Sequence, residues 1–179
     1  LRVDQYDADQ VQWVRGRTGL LEPVGATFEG LRIAPSRVAE IAENLLTTAG
    51  LTRIMSLIIA GGGQAATATS ARIGTGNGAG TAAVGDTNLS AAAGSANRWF
   101  QVMDASYPAA AGATITLRSS FGTSDGNYAW NEWGVDIGTP TVTSSATVNA
   151  TLVNHKTSAA LGTKASGASW ALTVTITIS

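Results

Sequence analysis

Apolar and polar residues alternate most regularly at the C-terminal end of the chain. Trp170, Leu172, Val174, Ile176 and Ile178 fall on one side of an extended strand, and Ala171, Thr173, Thr175, Thr177 and Ser179 on the other. The same period runs through 113–121. Ala113, Ile115, Leu117, Ser119 and Phe121 share one face there, and Thr114, Thr116, Arg118 and Ser120 the opposite one. Asp125-Gly126 is a hairpin-type turn signal. Asn127 to Val135 follows as an aromatic-rich strand, with Tyr128 and Trp130 on one face and Trp133 and Val135 on the other. Residues 141–151 alternate weakly. Strands with one apolar and one Thr-rich face suit a half-buried antiparallel sheet, and β-branched Thr favours that geometry.

The first half reads differently. Val38, Ile41, Ala42, Leu45 and Ala49 recur at helical spacing, with Ser36 as N-cap and Gly50 as left-handed C-cap, which predicts a helix over 36–49. Residues 53–60 read as a buried strand ended by Gly61-Gly62-Gly63. Ala71 to Gly74 reads as a short strand, 74–85 as a flexible loop and 89–96 as a short helix. Residues 1–35 show no period and are broken by Gly16, Gly19, Pro23, Gly25, Gly30 and Pro35. They read as an extended arm, either draped over its own domain or docked on a neighbouring subunit. Deleting residues 1–33 should then leave the rest folded. The expected fold is mainly β: an antiparallel β-sandwich over 36–179 with one N-terminal helix at 36–49, preceded by an extended N-terminal arm at 1–35.

Composition narrows the function. Ala, Gly, Thr and Ser make up about half of the 179 residues, and only 13% are charged. The net charge of -1 disfavours nucleic acid as a partner, since that affinity rests on neutralised phosphates. No apolar run is long enough to span a bilayer. With no Cys, disulfides and thiolate metal sites are excluded. The Gly74 to Gly80 stretch has Gly at every second position, unlike a dinucleotide or phosphate loop. His155, the only histidine, lies in no zinc or calcium ligand pattern, and no G-x-S-x-G elbow accompanies it.

Glu132, between Trp130 and Trp133, could have its pKa raised by the rings and act as an acid, with Asp125, Asp136 or Asp104 as a second carboxylate. The same residues with Tyr128 could stack on sugar rings, provided that they face solvent. The alternative is a structural glutamate among core or interface aromatics. No catalytic residue, metal or cofactor is assigned.

Several segments are familiar together. They are Met103 to Pro108, Phe121 to Val135, and Leu161 to Ile178. Asn44 to Leu51, Ala71 to Gly76 and Gly85 to Leu89 accompany them in the same order. Over roughly residues 44–179 the chain resembles small structural proteins of tailed-bacteriophage virions, although His155 stands where relatives commonly carry Arg. The resemblance implies a non-enzymatic virion role and brings no catalytic residues. A capsid decoration protein on the outer capsid surface is expected, binding its own copies, with a trimer favoured, and the major capsid protein. A tail, baseplate or fibre-base protein is the alternative. A carbohydrate-binding module, or a filament subunit that donates residues 170–179 to a neighbour, ranks lower. The candidate subunit-interface residues are Trp13, Phe28, Trp130, Glu132, Trp133, His155 and Lys156.

Overall fold

The computed structural model describes residues 1–41, 45–138, 151–157 and 159–177. Its strands are β1 (Arg2–Tyr6), β2 (Arg37–Glu40), β3 (Leu45–Leu46), β4 (Ala71–Gly76), β5 (Arg98–Val102), β6 (Ala109–Ala111) and β7 (Thr114–Phe121). They continue as β8 (Ala129–Trp130), β9 (Glu132–Ile137), β10 (Thr151–Lys156), β11 (Gly162–Thr163) and β12 (Ser169–Thr177). The helices are α1 (Ala8–Thr18), α2 (Gly25–Gly30) and α3 (Thr48–Ile58).

Two five-stranded antiparallel sheets, ordered β2-β1-β12-β7-β6 and β3-β10-β9-β4-β5, form a β-sandwich, with β8 and β11 as a small third ladder. The alternation of β12 holds: Trp170, Leu172 and Val174 point into the shared core, opposite Phe121, Ser119 and Leu117 of β7. Ile73, Trp133, Val135 and Val153 close that core from the second sheet. β12 is paired on both sides within its own chain, by β1 and β7, so it is not a strand held out for a neighbour.

Residues 1–35 are not an extended arm. β1 is an interior strand between β2 and β12, with Val3 opposite Leu172 and Gln5 opposite Trp170. Its two faces are both covered, one by the main core and the other by α1 and α2, which explains the missing alternation. Tyr6 stacks on Phe28 at 3.9 Å, and Val11 and Val14 join them in a second small core. Asp7 caps α1 through a capping box with Gln10, and Gly19 ends it in the left-handed conformation (φ 72°).

The expected helix at 36–49 is also corrected. Residues 37–40 form edge strand β2, and the Ser36 hydroxyl donates to the carbonyl of Gln5 instead of capping a helix. Residues 42–44 lie outside the described residues. The helix starts after Thr47, whose Oγ1 accepts from Gly50 N, and runs through the segment expected to be a buried strand. A short apolar run such as 54–60 does not reveal its period, and here the cap decides. Gly50 ends nothing: it sits in the first turn, where a Cβ would run into the backbone of Val153.

Elsewhere the strand at 71–74 is present and extends to Gly76. Residues 89–96 form no helix. Gly126 supplies the expected turn (φ 62°), but β7 and β8 lie in different sheets and make no hairpin. The strand expected over 127–135 breaks at Asn131, where the chain crosses from β8 to β9 and both aromatic faces become buried. The weak alternation at 141–150 lies outside the described residues.

Trp130 is fully buried, with edge contacts to Phe121 at 4.7 Å and Trp170 at 4.8 Å, and its Nε1 donates to Gly126 O at 2.8 Å. Trp130→Ala is expected to cost about 3–5 kcal/mol of stability. A urea midpoint shift corresponding to less than about 0.5 kcal/mol, the range of surface substitutions, would contradict this packing.

Candidate functional site

Two polar side chains that stood out in the sequence, Glu132 and His155, meet in the structure. On β10 this ring is buried between two carboxylates: Nδ1 lies 2.6 Å from Asp86 Oδ2 and Nε2 lies 2.9 Å from Glu132 Oε2. Glu132, on β9, is inaccessible to solvent. It also accepts from Ser90 N (2.8 Å), Ser90 Oγ (2.6 Å) and Ala91 N (2.7 Å). Glycines at 76 and 78 make the space, since a Cβ at either would meet the Glu132 carboxylate.

Burial alone would raise the Glu132 pKa, but the hydrogen bonds from His155, Ser90 and Ala91 overcome it and hold it at about 2. Burial likewise opposes charge on His155, yet Glu132 and Asp86 raise its pKa above the ordinary 6.5. Both ring nitrogens can donate only when the ring is an imidazolium, so the contacts and the charge state agree. The unit is a carboxylate–imidazolium–carboxylate chain.

This wiring decides what the cluster can do. An acid catalyst must hold a proton to give, and Glu132 holds none at ordinary pH. The expectation of a raised pKa is therefore overturned. Ser90, His155 and Asp86 supply the residue types of a hydrolytic triad, but the Ser90 hydroxyl donates to Glu132, and His155 has no free nitrogen to receive its proton. The carboxylates lie on opposite sides of the ring, and among the described residues no group of His, Asp and Glu converges as a metal would require.

The suggested partner carboxylates are engaged elsewhere. Asp136 pairs with Arg72 directly across the β4–β9 ladder, buried in the interior. Asp104 accepts from Ser120 N and Oγ, and Asp125 accepts from Gly122 N.

What the chain does is anchor loops. Asp86 also accepts from Ala83 N, closing a turn whose Val84 O receives the Thr48 N–H at the start of α3. Thr47 ties the same helix end to β10, through its N–H on Val153 O and its hydroxyl on Leu152 O. His155 thus holds in place the turn on which α3 sits. Asp86 and Ser90 were missed in the sequence because nothing in a loop marks which distant group it will face.

Of the candidate interface residues, Phe28, Trp130, Glu132, Trp133 and His155 are buried within the single chain and offer no side-chain surface to a neighbour. Burial of Tyr128, Trp130 and Trp133 likewise overturns the sugar-stacking platform. Lys156 is half-buried at the end of β10. Trp13 alone among the candidate aromatics is open, on α1 with the Arg17 guanidinium 5.6 Å from its ring centre.

A cluster of exposed apolar side chains lies on α3 and its end, apart from single ones such as Leu21 and Ile115 elsewhere. Leu51, Met55 and Leu57 are each about half exposed, and Ile58 and Ile59 are 71% and 77% exposed. Leu46 and Val84 add apolar area of their own. Arg53, the one charged residue of that helix, turns back onto Gln64 O and Thr151 Oγ1. No family model, curated protein or solved structure matches this chain.

Proposed function

We propose that this chain is a non-enzymatic structural protein of a bacteriophage virion, a capsid decoration subunit that fastens to its own copies and to the major capsid protein by burying apolar surface. The observation that carries this reading is the α3 face. An exposed helix that leaves Leu51, Met55, Ile58 and Ile59 facing water is the kind of contiguous patch that marks an interaction surface. The order of motifs over 44–179 supports the virion setting, and the engagement of His155, Glu132 and their neighbours in holding loops supports a role without turnover. A trimer on the capsid exterior suits a short module that bridges subunit junctions.

The test is incorporation. Double substitution Ile58→Asp/Ile59→Asp changes exposed side chains and is expected to alter stability by no more than about 0.5 kcal/mol. It should abolish both self-association, read by light scattering on a sizing column, and binding to particles that lack the protein. Electron microscopy of those particles should place the wild-type density on the outer capsid. Density at the tail would move the protein to the baseplate or fibre base. Unchanged binding by the folded double variant would refute the α3 interface.

A further inference from the structure

We propose that Lys164 and Asn127 condense into an intramolecular isopeptide bond. Lys164 follows β11 and is 1% exposed. Its Nζ donates to two carbonyl oxygens, Gly122 O at 2.7 Å and Asn127 Oδ1 at 2.8 Å, and among the described residues no carboxylate pairs with it. A buried ammonium with no carboxylate in direct contact is costly, and becoming a neutral amide removes that cost. Burial lowers the amine's pKa to about 8, against the opposing pull of Asp125 and Glu22, so a nucleophilic NH2 is accessible near neutral pH.

The acceptor carboxamide is in direct contact with the amine. Asn127 Nδ2 donates to Thr123 O at 3.0 Å, which turns the carboxamide oxygen towards the amine. The carboxamide carbon lies one C=O bond, about 1.2 Å, beyond that oxygen. Asn127 otherwise faces solvent, which gives a leaving group its exit. The backbone holds both residues in register, with Lys164 N donating to Tyr128 O at 3.0 Å beside the β8–β11 ladder.

In the reaction the Nζ lone pair attacks Asn127 Cγ and a C–N bond forms. The proton shed by the attacking nitrogen passes to the departing amide nitrogen, and the original C–N bond breaks to release ammonia. Amine and carboxamide become amide and ammonia, with no oxidant or reductant. The product would lock the 122–127 loop to the turn after β11, next to the Trp130 cluster.

Intact-mass spectrometry of the full chain, aged at mildly alkaline pH, tests this directly. The expected mass is lower than the sequence mass by one ammonia, and a tryptic digest should contain the Asn127 peptide joined to the Lys164 peptide. Asn127→Ala, at an exposed position, should restore the full mass expected for its own sequence. An aged wild-type chain at its full sequence mass would overturn the proposal. So would an ammonia loss that persists in Asn127→Ala, since that would originate elsewhere.

Discussion

A chain lacking residues 1–33 is expected to lose its cooperative fold. β1 is hydrogen-bonded on both edges, so its removal exposes one edge of β12 and strands β2. Val3, Tyr6, Val11, Val14 and Phe28 leave the interior with it. At about 1.5–3 kcal/mol for each large apolar side chain, the lost burial is comparable to the whole stability of a typical domain, roughly 5–15 kcal/mol. The loss also strips Arg118 of Glu29, its 2.8 Å partner, leaving a largely buried guanidinium with Asp104 at 3.5 Å. Near-ultraviolet circular dichroism and thermal melting should show no cooperative transition. A truncated chain that melts sharply would mean that the first sheet closes without β1.

The second large effect is expected at Glu132. Glu132→Ala leaves the His155 imidazolium with Asp86 as its remaining carboxylate partner and the buried Ala91 N–H without its acceptor, while the Ser90 N–H, at an exposed residue, can turn to water. Removing one partner of a buried charge pair costs about 3–5 kcal/mol, and an orphaned donor costs about 1–3 kcal/mol. A destabilisation of about 3–5 kcal/mol is therefore expected, comparable to that of Trp130→Ala.

The same network sets the pH response. The Glu132 pKa is depressed on folding from its ordinary 4.5 to about 2, so its contribution is complete above 4.5 and is lost as pH falls towards 2. The His155 pKa is raised, so its contribution is complete below 6.5 and is lost as pH climbs through the higher folded value. Asp86, lowered by its bonds to Ala83 and His155 against the effect of burial, adds to the acid limb. Urea midpoints should therefore peak between about pH 4.5 and 6.5 and fall on both sides, with both limbs reduced in Glu132→Ala. A wild-type midpoint that stays level from acid to mildly alkaline pH would show that the chain does not couple to folding.

Most of the C-terminal half was legible from period alone. Strand 169–177 buries one face more completely than the other, and one-sided burial writes itself into neighbouring residues as alternation; 114–121 alternates in residue type although both of its faces are buried from Leu117 on. The aromatic segment at 127–135 was legible as strand but not as two strands, because the break at Asn131 is made by Gly76 O and Ala159 N, both remote in sequence. The site was legible only in its members. Glu132 and His155 stood out as a carboxylate among tryptophans and a single imidazole. That they share one ion chain with Asp86, 69 residues before the ring, was not readable.

By itself, then, the sequence determined a mainly β, antiparallel sandwich of low charge. Those properties follow from residue type and local spacing. Tertiary structure decided the rest: that 2–6 is a central strand, that 48–58 is the helix, and that the Trp130–Trp133 segment faces inward. A strand covered on both faces shows no alternation. A short apolar run has no period of its own, and whether a polar group is silent or reactive depends on partners that only the folded chain brings within hydrogen-bonding distance.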